Sequence, residues 1–286
     1  MYNYKINHLP KKTNEVIVNI PSEDIKKEHE SAFIRLQSKL TVEGFRAGKA
    51  PRSIAEKYIT KDSIYQELLK SLLPKIYEEI IKKENLVPVI NPKIDLIKAK
   101  ENEDWEIKIT VAEKPIITLP LYKELIKKIK SNQKKEDIWV PGKDKTSDKE
   151  KNKQKLLNEI LSGLLREAKI ELSDLIIEEE LNQRLTRLVD DIRKLGLTTE
   201  AYLKSKNLTI DTLKNQFRRE IEDTYKLEFL LMEVADKEGI KVEKADLDKL
   251  FSNIKEEKER QSAEQNAYFY ASILRKQKTL DFLLGL

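Results

Sequence analysis

Cysteine is absent from this 286-residue chain. That excludes disulfide frameworks, thiol nucleophiles and thiolate-ligated metals. Histidine is scarce as well: His8 and His29 are the only imidazoles, too few for a histidine-rich metal centre. No apolar run approaches the ~18 residues that a membrane span needs. The most apolar stretch, 227–235, is interrupted by Glu228 and Glu233, so no membrane partner is expected. The first twenty residues lack an uninterrupted apolar core and a small-residue cleavage site; no secretory leader is expected, and a cytoplasmic location is. Apolar residues make up only 39% of the chain and charged ones 37%, against about 45–50% and 25% in average globular chains. A single core of this length would demand more apolar residues, so small, separately packed units with a large solvated surface are expected.

Proline is missing from the whole second half. All nine prolines precede residue 142. Because proline breaks helices, its absence permits long uninterrupted ones in the rear, while the front must be mixed structure with turns. Charge is also uneven. Net charge is +5, but residues 121–155 alone carry 12 basic and 6 acidic side chains, and residues 156–286 carry 22 basic and 26 acidic. A basic front and middle favour an anionic partner, while an acidic rear argues against nucleic acid wrapped along the full length.

In the front, residues 2–9 and 15–20 have strand character, joined by a turn at 10–14. A helix then starts at Pro21-Ser22, with Ser22 as N-cap and Glu23 and Asp24 in the first turn. Its apolar stripe is Ile25, Ala32, Phe33, Leu36 and Leu40. A short helix is expected at 52–58 and a longer one at 61–84, kinked by Pro74, with Ile64, Leu68, Leu72, Ile76 and Ile80 at spacing four. Residues 93–100 and 105–112 return to strands, the second with Trp105, Ile107, Ile109 and Val111 on one face. Residues 1–120 therefore form an α+β domain of two strands, helices and two strands. Residues 121–155 have the composition of a charged linker, whose one apolar island is Ile138, Trp139 and Val140. Residues 156–286 form an all-helical domain. Helices are expected at 155–169, 174–195 (closed by Gly196), 199–206 and 210–238 (closed by Gly239), and 244–284 is read as two helices broken near Gln261–Ser262.

Only seven glycines exist, and two sit four apart in the segment Gly44-Phe45-Arg46-Ala47-Gly48-Lys49-Ala50-Pro51. Glycine allows the positive-φ geometry of a tight tip, and Pro51 restarts a helix. A phosphate-cradling loop needs four residues between its glycines and Ser or Thr after the Lys; three residues and Ala50 stand there instead. A membrane GxxxG pair needs an apolar 20-mer, which is missing. Two readings stay open on the residues alone. Phe45 with its flanking cations is a docking anchor for carboxylates or phosphates, or Phe45 folds back onto the helices of a plain connector.

The loop with its flanks resembles the ribosome-binding signature of the bacterial trigger factor family, approximately Gly-Phe-Arg-x-Gly-Lys-x-Pro. Gly44, Phe45, Arg46, Gly48, Lys49 and Pro51 all match it. The order of surrounding elements matches too, as does the Leu119-Pro120-x-Tyr122 segment. The resemblance implies a SurA-like, elongated helical arm domain at 156–286, behind a ribosome-binding domain at 1–120. It implies an ATP-independent chaperone without cofactors, metal or catalytic residues. Such a chaperone meets protein and RNA at the ribosomal tunnel exit through Phe45, Arg46 and Lys49, holds nascent or unfolded chains, and assists folding and protein export. Two departures stand out. Ala47 occupies a position that is basic in many members, which weakens the expected ribosome affinity. The FKBP-type prolyl isomerase domain usual in the family has no counterpart, because the interval 121–155 is too short and polar for an isomerase pocket; no isomerase activity is expected.

Client contacts are sought in the aromatic cluster of the last helix, where Tyr268 and Tyr270 are the candidates and Phe269 is assigned to the core. Met232 is read as core filler, and His29 as a hydrogen-bonded histidine at the edge of its helix. The runs Glu178-Glu179-Glu180 and 255–260 are read as solvated faces. A homodimer off the ribosome is an open expectation. The rival readings are a nucleic-acid module using the basic linker, weakened by the lack of interleaved aromatics, and a diverged prolyl isomerase.

Overall fold

The computed structural model describes residues 2–136, 145–254 and 256–286. The chain divides into two compact units, Met1–Lys114 and Pro115–Leu286.

The first unit is built on four antiparallel strands in the order β1-β2-β4-β3: β1 (Asn3–Leu9), β2 (Thr13–Ile20), β3 (Lys93–Lys98) and β4 (Trp105–Ala112). The register sets Val16 opposite Ile109, Val18 opposite Ile107 and Ile20 opposite Trp105. The alternating apolar residues of the two central strands therefore share one face. That face is buried against α1 (Ser22–Lys39) and α3 (Lys61–Lys83), which supply Ile25, Ala32 and Phe33, and Ile64, Leu68, Ile76 and Ile80. Each fully buried aliphatic side chain here contributes about 1.5–3 kcal/mol relative to exposure. The Thr60 hydroxyl caps α3 by accepting from Ser63 N at 3.2 Å, and the helix runs through Pro74. The start of α1 departs from expectation. Pro21 holds the N-cap position, and Ser22 instead donates its backbone N–H to Asp104 Oδ1 at 2.8 Å. A carboxylate from a distant loop thus takes the role foreseen for the Ser22 hydroxyl.

The second unit is mostly helical: α4 (Tyr122–Glu136), α5 (Lys145–Glu167), α6 (Asp174–Lys194), α7 (Thr199–Ser205), α8 (Ile210–Lys237), α9 (Lys244–Ser252), α10 (Glu257–Gln265) and α11 (Ala267–Gly285). One two-residue ladder joins β5 (Ile117–Thr118) to β6 (Lys169–Ile170). Helices α5, α6 and α11 all pack on α8, around fully buried Ile160, Leu164, Ile176, Ile221, Leu230 and Leu283. Helix starts are capped by Ser173, Thr198 and Thr209 side chains. Helices α6 and α8 close on Gly196 and Gly239, at φ +71 and +65. Bonds from Leu197 N to Ile192 O (3.1 Å) and from Ile240 N to Ala235 O (2.8 Å) complete paired-bond glycine caps.

The segment read as a charged linker is structured where it is described. Residues 122–136 and 145–155 are helical, and Tyr122 and Ile126 are buried in the second unit. Its lysines do not prevent this, because an amphipathic helix needs only one apolar stripe. The contact boundary accordingly falls after Lys114, not at 120 or 155. The Ile138–Trp139–Val140 island lies outside the described residues. The C-terminal segment also differs from expectation: three helices are separated by residues 253–256 and by Asn266, with no break at Gln261–Ser262.

Tyr122 locks α4 in place by donating its hydroxyl proton to Glu238, which also pairs with Lys123 at 2.8 Å. Burial, and then this bond to a carboxylate, push the Tyr122 phenol up to about 12. The protonated phenol is favoured by folding, an advantage complete below about pH 10 and lost as pH rises through the folded value. A Tyr122→Phe variant is therefore expected to show a flatter fall in stability than wild type between pH 10 and 12. Chemical denaturation reads this directly, and parallel profiles would remove Tyr122 from the account.

Candidate functional site

The segment between α1 and α2 (Arg52–Ala55) forms a tip with two buried feet and an exposed crown. Val42 and Ala50 are the feet, buried against the first unit. Between them the backbone makes two successive turns, with Phe45 N bonded to Val42 O at 3.1 Å and Lys49 N to Arg46 O at 2.9 Å. In each, glycine sits at the third position with positive φ, +83 at Gly44 and +75 at Gly48. A turn of this kind demands that geometry there, which explains the four-residue spacing of the two glycines. Gly48 has a second reason to be glycine: a Cβ on it would lie 2.4 Å from the Ser38 carbonyl oxygen.

The loop is tied to α1 from both sides. Gly48 N donates to Leu40 O at 2.9 Å, and the Gln37 side-chain amide donates to Ala50 O at 2.8 Å. Pro51 holds the N-cap of α2. Arg52, which follows it, is fully engaged: its guanidinium grips both oxygens of Glu30, donates to Glu56 at 2.8 Å and lies 4.7 Å over the Phe33 ring. Behind this, Arg35 joins Glu28, Glu67 and Ser71, bridging α1 to α3. Burial alone would raise the Glu28 carboxyl, but hydrogen bonds from Ser71 and Arg35 outweigh it and hold the group below the ordinary range.

The crown carries Phe45, 39% exposed. The Arg46 and Lys49 side chains are exposed and have no ion-pair or hydrogen-bond partner among the described residues. Gly44, Phe45, Arg46, Gly48, Lys49 and Pro51 are thus brought together on one short segment. It presents a partly exposed aromatic ring and two unpaired cations on a double turn braced by hydrogen bonds to α1. The sequence did not reveal that Arg52, also basic, is consumed in holding this scaffold.

The second set of candidates diverges. Tyr268 is 91% exposed, whereas Tyr270 is half-buried and packs edge-on against Phe251 at 5.6 Å. Phe269, assigned to the core, is 59% exposed. The break at Asn266 restarts the helix and resets its phase, so the inward position falls to Tyr270. Met232, read as core filler, is exposed on α8. His29 makes no hydrogen bond among the described residues; its ring packs edge-on against Tyr65 at 5.6 Å. Leu195 and Leu197, flanking Gly196, form an exposed apolar pair that periodicity concealed. The glycine itself was the available signal, since a residue at a helix end no longer faces that helix's partner. Among the described residues there is no cluster of three or more potential metal ligands, and no helix is long and apolar enough to cross a membrane.

Residues 2–139 match the family described as bacterial trigger factor protein, and residues 145–284 match the bacterial trigger factor protein C-terminus. The chain belongs to the trigger factor family. Among its relatives is the trigger factor of Lactococcus lactis subsp. cremoris (strain MG1363), 34% identical over 122 residues, which are 43% of this chain and 29% of that one. The trigger factor of Lactiplantibacillus plantarum is 37% identical over 111 residues, 39% of this chain and 25% of that one. The chain therefore aligns with less than a third of the length of these relatives. A solved structure from work on promiscuous substrate recognition in folding and assembly activities of the trigger factor chaperone superposes with a TM-score of 0.60. It covers 98% of this chain and 99% of that one, and at 13% identity the likeness is one of fold. The two trigger factor regions leave only residues 140–144 between them, too few for a further domain.

Proposed function

We propose that this chain is a cytoplasmic, ATP-independent chaperone that docks on the ribosome through the 44–51 tip and holds nascent or unfolded segments. The observation that carries this reading is the partly exposed Phe45 ring beside two unpaired cations, Arg46 and Lys49, on a braced double turn. A ring that is desolvated on contact supplies affinity, while cations suit the phosphates and carboxylates of a ribonucleoprotein surface. The first unit supplies docking and the second supplies client contacts. Tyr268 and Phe269 offer accessible aromatic area, and Tyr270 contributes what its packing on Phe251 leaves exposed. Exchange of clients rests on weak, rapid contacts without nucleotide hydrolysis, and no prolyl isomerase step takes part.

Cosedimentation with bacterial ribosomes, together with dilution of a chemically denatured client, tests both halves. The chain is expected to pellet with ribosomes and, at near-stoichiometric amounts and without ATP, to suppress client aggregation. Proline-limited refolding should not accelerate. Equal pelleting of wild type and Phe45→Ala rejects the docking tip, and catalytic turnover on the proline-limited phase rejects the non-enzymatic reading.

A further inference from the structure

Helices α4 and α5 pack on each other, and Gly163 marks a close approach. A Cβ on Gly163 of α5 would meet Ile129 of α4 at 3.2 Å and Leu125 at 3.5 Å. Along α5, on both sides of Gly163, the face bordering this seam is hydrophilic. Lys151, Gln154, Asn158, Ser162 and Arg166 recur at helical spacing along about 22 Å and line an open cleft of about 690 Å³ that Asn132 of α4 completes. None of these six side chains has a partner among the described residues. The one carboxylate of the cleft, Glu159, lies 3.9 Å from Lys155. On α4, Lys128 lies one turn before Asn132 and is exposed and equally unpaired.

We infer that this cleft is a second interaction surface of the chain, one that binds the phosphate backbone of duplex RNA. Cations, amides and a hydroxyl are the groups that contact phosphate and sugar oxygens, and amides also accept from a ribose 2′-hydroxyl. A lipid surface does not fit, because a helix lying on a membrane needs a free apolar face. The apolar residues Ile126, Ile160 and Leu164 are fully buried in the unit. Unstacked single strands do not fit either, since no aromatic side chain lines the cleft. The surface lies in the second unit and does not depend on the 44–51 tip being a docking site.

The test is fluorescence anisotropy of the full chain with a labelled RNA duplex of about 16 base pairs, titrated between roughly 50 and 200 mM salt. Wild type is expected to bind with steep salt dependence. Lys151→Glu/Arg166→Glu is expected to weaken binding at least tenfold and to reduce the log–log salt slope by about two. Lys151→Gln/Arg166→Gln, which keeps the cleft polar, should weaken it in the same direction while leaving thermal unfolding unchanged. Phe45→Ala/Arg46→Ala should bind the duplex as wild type does. The inference is overturned if the cleft variants bind as wild type, or if the charge-matched Lys57→Glu/Lys70→Glu pair weakens binding equally. Absence of binding at about 50 mM salt, or equal binding of a polyglutamate peptide or of a DNA duplex, overturns it too.

Discussion

Gly48→Ala is expected to destabilise the first unit by about 2–4 kcal/mol, while Gly44→Ala costs only about 1–2 kcal/mol. Both glycines adopt positive φ, so both variants bear the left-handed strain of an L-residue. Only Gly48 faces backbone: its added Cβ would sit 2.4 Å from Ser38 O and 3.0 Å from Ser38 C, whereas nothing lies within 4 Å of the same atom on Gly44. Backbone cannot rotate away as a side-chain end can. The second turn must lift off α1 and lose the Gly48 N to Leu40 O bond. Urea unfolding of the two variants measures the difference, and equal losses would show that the close approach to α1 carries no cost. Because lifting that turn moves Lys49 relative to Phe45, Gly48→Ala should also impair ribosome cosedimentation at temperatures where the unit remains folded.

Removing the crown itself should leave stability nearly unchanged and weaken docking strongly. In Phe45→Ala/Arg46→Ala/Lys49→Ala no buried contact of the fold is lost except part of the Phe45 ring, since the two cations have no partners among the described residues. Loss of a central aromatic anchor and its flanking cations is expected to cost about 2–4 kcal/mol of binding, roughly 30- to 1,000-fold in Kd. The parts are separable. Arg46→Ala/Lys49→Ala should flatten the salt dependence of ribosome binding, because exposed charge pairs are screened. Phe45→Ala should weaken binding while leaving that slope intact. Full-strength binding by the triple variant would assign the contact to another surface. Ala47 removes one further cation from the tip, and Arg52 cannot replace it while held by Glu30 and Glu56.

Much of this was legible one residue at a time. Val16, Val18 and Ile20 alternate with polar or half-buried neighbours, and so do Trp105, Ile107 and Ile109. Strand pairing of a half-buried sheet follows from that period alone. The 44–51 tip was legible because glycine and proline act locally, through φ, before any tertiary contact forms. Phase across an irregular joint was not legible. Asn266 has no proline or glycine to announce a break, yet it rotates the α11 face and exchanges the positions foreseen for Phe269 and Tyr270. The α4–α5 region misled for a related reason. Its lysines give a linker's composition, while the few aliphatics of α4, buried Ile126 with half-buried Leu125 and Ile129, suffice for one apolar stripe.

The amino-acid sequence by itself determined the two-part division into a mixed front and a helical rear, the central strands, the glycine-built tip and the candidate anchor Phe45, all of which rest on local backbone preferences and periodicity. Only the tertiary structure decided which cations are free. Arg46 and Lys49 stand unpaired, whereas Arg52, three positions on, is spent on Glu30, Glu56 and the Phe33 ring. Glu56 is within local reach of Arg52, one helical turn on, but Glu30 is 22 positions away. A partner that distant is chosen by how the chain brings Arg52 beside α1, which no local pattern encodes.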